Sequence, residues 1–245
     1  MNKIRMIFQI LRSLIPSMYF NFHYLPFRQA VKLPVLLYKP HLQKLGGVFR
    51  IEADRISTGM IRLGFPQCYF YPNAGVVFEN LGGSIVINGR LNLGNNTAIS
   101  VGQFGKLTLG NNVNAPASLK LACYHEVNIG DRTSFGWDCI VMDTDSHCLT
   151  YIEPAGGTHK GHGFGSITIG TDVWFGNGCL VMKGTKTPNK VVFGARSVIN
   201  KNLSCEECTL LGGNPLRELR KNVFRNMLDD CIDYKQGCFS KITQN

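Results

Sequence analysis

Phe175, Phe193 and Leu211 recur at one constant interval, and each is followed by glycine. The triplets are Trp174-Phe175-Gly176, Val192-Phe193-Gly194 and Leu210-Leu211-Gly212. Inside that interval runs a six-residue beat: Ile169-Gly170, Phe175-Gly176, then Val181. An apolar residue followed by a small one every six positions marks a parallel β-helix. Three short strands then make one triangular coil of about 18 residues, with the apolar residue pointing inward and the small one easing the turn. That coil length is the interval between the three triplets. A coil cannot bury its own core, but a stack of coils can. The rest of the chain therefore reads as coils, insertions in coils, or ends that cover them.

The beat can be followed backwards. Ile85 and Ile87, Leu91 and Leu93, Leu107 and Leu109, and Val127 and Ile129 are apolar pairs at period two. Leu93, Leu109 and Ile129 follow at unequal spacings that average near one coil. Asn-Asn, Gly-Asn and Asn-Gly pairs suit the positive-φ corners. Phe135 and Phe175 share a phase but lie more than two coil lengths apart. The surplus falls on 148–164, which carries no repeat and reads as a loop thrown out from the prism. The division expected is an irregular, partly helical cap over 1–60, the β-helix over 61–215, and a C-terminal helix and tail over 216–245. Residues 3–20 carry apolar residues at helical spacing with Lys3, Arg5 and Arg12 among them, and Pro16 kinks or ends the pattern. Such a segment can cap a prism end; the alternative for residues 1–20 is peripheral contact with an anionic membrane.

The chain has a net charge of +10. Nine Lys/Arg against two acids fall in 1–60, and nine against three in 183–225. Two basic zones suggest anionic partners, such as phosphates or a lipid surface, against the bland reading of a solvated surface; no nucleic-acid partner is expected. Nine cysteines, an odd count, with no cleavage pattern at the N-terminus, suit a reducing cytoplasm. No apolar run reaches the ~18 residues of a membrane span.

The chemistry-bearing stretch is Asp143-Thr144-Asp145-Ser146-His147. In an extended segment its three titratable groups share a face. A histidine beside carboxylates is suited to act as a base, one carboxylate fixing the ring tautomer. The bland reading is a corner histidine bonded to turn backbone.

Trp174-Phe175-Gly176, Gly194-Ala195-Arg196-Ser197-Val198-Ile199 and Gly213-Asn214-Pro215 resemble the VWIG, GAGSVV and GNPAK series of the left-handed hexapeptide-repeat acyltransferases. The departures are Phe175 for Ile, Arg196 for the second Gly, and Leu216-Arg217 for Ala-Lys. The resemblance covers residues 76–220. It implies an all-β, left-handed parallel β-helix with helical ends, acting as a homotrimer with active sites between prisms. It also implies an acetyl-CoA-dependent O-acetyltransferase like those of polysaccharide loci, acting on a sugar hydroxyl of a surface polysaccharide or a lipid-linked precursor. His147 would be the general base, with Asp145 or Asp143 orienting it. Trp174, Gly176, Asn177, Gly194, Ala195, Arg196, Lys201 and Arg217 would hold the acyl donor. Tyr151, His159 and His162, on the insertion, would meet the sugar.

Three alternatives accompany this reading: a sugar N-acetyltransferase of the same fold, a zinc enzyme like the β-helical carbonic anhydrases using His147, His159 and His162, and a non-catalytic scaffold. No metal is expected, because His159 and His162 sit in a Gly-rich insertion rather than at fixed strand positions.

Overall fold

The computed structural model describes residues 3–68 and 70–227. Among these, the strands gather into three parallel sheets of nine, seven and five strands, the nine-stranded one ending in a single antiparallel partner. Successive strands visit the three sheets in turn, so the chain winds a triangular prism, a left-handed parallel β-helix. The faces are numbered here in the order the chain meets them. The first coil is Val35–Leu37, Pro40–Leu45 and Val48–Ile51, so the prism begins well before residue 61. Its strands pair with Ile61–Leu63, Val76–Asn80 and Ser84–Ile87 of the second coil. The early coils escape the six-residue beat because they are long: Val35 pairs with Ile61 and Val48 with Ser84.

Later coils tighten. Leu91 pairs with Val113, Asn114 with Ser134, and Phe175 with Phe193 in turn with Leu211. Leu109 and Ile129 are in register, as the spacing suggests. Leu93 is not part of that row: it pairs with Ala115 on the first face, while Leu109 pairs with Ile87 on the third. Phe135, Phe175 and Phe193 stack inside the prism, with centroids 4.9 and 4.8 Å apart and planes within 7°. All three are buried, each worth roughly 2–3 kcal/mol of apolar transfer.

The corners carry residues in the left-handed backbone region. Asn112, Arg132, Asp172, Lys190 and Cys208 mark the edge between third and first faces. Asn96, Ser118, Asp138 and Arg196 mark the edge between first and second. The asparagines are legible from residue type; the others show that coil geometry overrides it.

At the start of the chain, α1 (Lys3–Tyr24) lies across the first coil, followed by the short α2 (Phe27–Ala30). Ser17 Oγ accepts from the Leu37 N–H at 2.8 Å. The Asn21 amide accepts from the Val35 N–H at 3.1 Å and donates to the Val35 carbonyl at 2.7 Å. These side chains satisfy the edge strand that would otherwise present bare backbone. Phe20 fills the prism mouth against Phe49 and Phe78.

At the far end, Arg217–Arg220 is a strand that turns back antiparallel onto Leu210–Gly212. The helix expected from residue 216 is therefore absent at its start, because the last coil needs a partner for its open backbone more than Leu216 and Leu219 need a helical face. The remainder of that expected helix, from 228 on, lies outside the described residues.

Candidate functional site

Ile140–Met142 ends at the edge between second and third faces, and the chain leaves the prism there until Ile167–Ile169. The excursion is a β-hairpin rather than a loop: Thr150–Ile152 pairs antiparallel with Thr158–Lys160. Its base is tied down. The Asp145 N–H donates to the Gly163 carbonyl at 2.7 Å, and the Thr144 hydroxyl donates to the same oxygen at 3.2 Å. From the coil above, Lys183 Nζ reaches Asp145 Oδ2 at 2.6 Å and the His162 carbonyl at 3.1 Å.

His147 stands on the outgoing limb, exposed, directly after Ser146, whose φ of +60° turns the chain. It borders a groove of about 470 Å³ whose walls include Ser100, Tyr124, Met142, Cys148 and Phe164. Its ring makes no hydrogen bond or ion pair among the described residues. A polar chain leads into the groove across the second face: Ser100 Oγ donates to Glu79 at 2.7 Å and lies 3.0 Å from the Tyr124 hydroxyl.

The shared face expected of Asp143, Asp145 and His147 does not form, because the strand stops at Met142 and Ser146 reverses the backbone. Asp143 is fully buried, and its two oxygens accept the Tyr124 and His125 N–H groups, each at 2.8 Å. It shapes the corner that presents Tyr124. Asp145 faces Lys183, not His147.

On the hairpin, Tyr151 stacks on its cross-strand partner His159, with centroids 5.1 Å apart, and His159 Nδ1 contacts the Glu153 carboxylate. His162 lies edge-on to Phe164 at 6.1 Å. None of Tyr151, His159 and His162 lines the groove of its own chain. Among the described residues no three His, Cys, Asp or Glu side chains are grouped as a metal site requires.

The residues expected to hold the acyl donor lie elsewhere. Gly176, Asn177, Gly194, Ala195 and Arg196 follow one another up the edge between first and second faces. Packing explains Gly176: a Cβ there would come within 2.7 Å of the Ala195 nitrogen. The Gly176 and Gly194 N–H groups already donate to Phe193 and Leu211. The backbone N–H groups of Asn177 and Ala195, one coil apart, make no hydrogen bond among the described residues. One coil lower, the Trp137 N–H is taken by the Asn177 side chain at 3.0 Å. Below that, the segments 64–68 and 70–75 close the same edge. Gln67 reaches the Ala115 carbonyl, and Phe70 stacks on Trp137 at 5.3 Å. The open stretch of this edge thus begins at the sixth coil. Trp174 projects from the first face, where the Arg225 guanidinium sits 5.2 Å from its ring centre. Lys201 lies on the same edge as His147, two coils above it, and Arg217 lies in the closing strand.

Two candidate half-sites therefore flank the second face, the His147 groove at one edge and free backbone donors at the other. Between them the outer surface of that face is apolar: Ile140, Leu180 and Val198 in one row, Met142 and Met182 in another. Sequence reasoning missed Tyr124 and Ser100. Their signal was coil register, since Ala122 pairs with both Met142 and Ser100 and so sets both residues beside the D-x-D-x-H corner.

The coil winding is the fold of the left-handed hexapeptide-repeat acetyltransferases. No protein-family model matches the chain. The particular relatives are these. A chloramphenicol acetyltransferase from Escherichia coli is 33% identical over 69 residues, 28% of this chain and 32% of that one. A putative lipopolysaccharide biosynthesis O-acetyl transferase, WbbJ, from Escherichia coli K12 is 26% identical over 145 residues, 55% of this chain and 73% of that one. The solved polySia-specific acetyltransferase NeuO superposes with a TM-score of 0.50 at 16% identity, over 79% of this chain and 91% of that one. The match to the chloramphenicol acetyltransferase spans about a third of its length.

Proposed function

We propose that the protein is an acetyl-CoA-dependent O-acetyltransferase acting on a saccharide hydroxyl, working as a homotrimer with His147 as general base. The observation that carries the reading is the separation of the two half-sites by an apolar face. Within one chain they stand on different edges. Side-by-side packing of prisms brings the His147 edge of one copy against the donor edge of the next and covers the apolar rows. Cyclic closure of such heterologous contacts gives a ring. The sequence relatives are acetyltransferases, which supports the reaction class, and the name of WbbJ supports a saccharide acceptor.

The free N–H groups of Asn177 and Ala195 suit the amide carbonyls of an extended pantetheine arm, and Arg196 beside them suits a phosphate. The acceptor hydroxyl enters the groove beside Tyr124. His147 takes its proton as the oxygen attacks the acetyl carbonyl. The C–S bond then breaks, and the imidazolium returns the proton to the departing thiolate, giving ester and CoA. Asp145 and Lys183 hold the base of the hairpin, so they position the histidine-bearing limb without touching the ring.

The test is acetyl transfer from acetyl-CoA to a panel of oligosaccharides, read by mass spectrometry. The wild type should add the mass of one acetyl group, and mild alkali should remove it, as it removes an ester but not an amide. His147→Ala should lower turnover by roughly two to four decades with CoA affinity intact. Near-normal turnover in a folded His147→Ala protein removes it from the reaction.

A further inference from the structure

Over 13–24, helix α1 is inside out. The positions it turns to the protein are Ser13, Ser17, Phe20 and Asn21, three of them polar. The positions it turns outward are Leu14, Ile15, Met18, Tyr19 and Phe22, apolar or aromatic, followed by His23, whose ring bonds the Leu45 carbonyl. A helix bounded by water does the opposite, with its apolar stripe on the core and its polar residues outside. The inversion has a local cause on the inner side, where Ser17 and Asn21 satisfy the edge strand. Nothing on the inner side requires the outer stripe.

The stripe continues into the next turn of chain. Phe22 contacts Phe27, and Phe27 and Val31 are exposed in the same neighbourhood, with Ile15 at 79% and Phe27 at 73%. A contiguous apolar patch of this kind on the closed end of a prism marks an interaction surface. The charge around it has one sign. The sequence from Met1 to Ile51 contains eight Lys/Arg and no Asp or Glu. Arg28 and Lys32 are exposed beside Phe27 and Val31. An apolar stripe with Arg28 and Lys32 beside it, in a stretch whose first acids are Glu52 and Asp54, fits a surface that offers hydrocarbon beneath negative charge. No helix of the described chain is long and apolar enough to cross a membrane, so the contact is one of lying on, not spanning.

We infer that the outer face of α1, with Phe27, Val31, Arg28 and Lys32, is a docking surface for an anionic lipid bilayer. The inner face of the same helix closes the prism, so one element does both jobs. Hydrophobic insertion supplies the depth, and the basic rim supplies selectivity for anionic headgroups.

The test is sedimentation of the full-length protein with two kinds of vesicle, phosphatidylcholine alone and phosphatidylcholine mixed with phosphatidylglycerol. The expected result is binding to the anionic vesicles at low salt, release at high salt, and little binding to phosphatidylcholine alone. A triple variant, Ile15→Ser, Phe22→Ser, Phe27→Ser, removes exposed groups only, so its Tm should stay near the wild-type value while partitioning falls at least tenfold. Arg28→Glu with Lys32→Glu should abolish the preference for anionic vesicles. The inference is overturned if the wild type ignores anionic vesicles, or if the folded triple variant binds them as well as the wild type. It is equally overturned if light scattering finds end-to-end pairs of assemblies that the triple variant separates, since the patch then belongs to a second copy.

Discussion

At the scale of the residue, the two aspartates nearest His147 have different work, and stability separates them. Asp143 is buried with both oxygens on backbone N–H groups. Replacing it with alanine leaves the Tyr124 and His125 N–H groups unpaired in the interior, at a cost of about 3 kcal/mol. Thermal unfolding should register that as a fall in Tm of roughly 10 °C. Asp145→Asn should leave Tm nearly unchanged, because its ion pair with Lys183 is partly exposed; its effect should appear in turnover. Equal Tm losses in the two variants would remove the distinction. Arg196 offers a second contrast. It holds a φ of +58° that glycine adopts freely, so Arg196→Gly should stabilise the fold by up to about 1 kcal/mol. The same change should weaken CoA binding in calorimetry if its guanidinium meets a phosphate. The cysteines divide by burial. Burial pushes the Cys123 thiol up to about 12, with the Asp143 charge adding to it, so it stays protonated and unreactive through the neutral and mildly alkaline range. Cys148 is exposed at the groove beside His147. A bulky maleimide should therefore modify Cys148 ahead of Cys123 and block acceptor entry, and Cys148→Ser should protect the activity.

At the scale of the element, the hairpin over 150–160 stands off the prism on a base pinned by Lys183 and Gly163. Its tip makes no contact that the donor edge needs. Replacing Pro154–His162 by a short Gly-Ser link should therefore raise the acceptor KM or abolish transfer, with CoA binding by calorimetry little changed. Loss of CoA binding with acceptor selectivity retained would assign the hairpin to the other substrate. The existence and place of this element were legible because Phe135 and Phe175 keep their phase across an excess of chain. Its form was not, since the pairing of Tyr151 with His159 is a cross-strand contact that no period announces. The same limit explains the start of the prism. Val35–Leu37 is an early strand of a long coil, and a coil stretched by insertions shows no repeat until its partners are known. The strand at Arg217–Arg220 was hidden for the converse reason: Leu216, Leu219 and Val223 fit a helical face, but the open edge of the last coil decides the outcome.

At the scale of the whole molecule, the apolar rows on the second face predict self-association. Light scattering should give a mass near three chains. Ile140→Asp with Leu180→Asp, both facing outward, should yield monomers that keep the fold by circular dichroism and lose transfer. A fully active monomer would place both half-sites' work within one chain. The winding itself was legible from one row of aromatic residues, because a solenoid repeats its core and a single periodic position reveals the rest. The half-sites were only partly so. Motif nominates His147 and the donor corners as candidates, but their placement on separate edges follows from which strand joins which face, a property of the closed coil.

Parallel coils stack at a fixed step of about 4.8 Å, the spacing of neighbouring strands. The His147 corner belongs to the fifth coil and the α1 cap to the first, so four steps separate them, about 19 Å. Docked on a bilayer through α1, as inferred above, the prism would be a gauge rod standing on its end. It would not reach a sugar at the headgroups, and would select one carried a few residues out along a lipid-borne chain. Splicing one extra coil between the third and fourth should move the preferred position outward by about 5 Å, near one sugar unit, with the chemistry untouched.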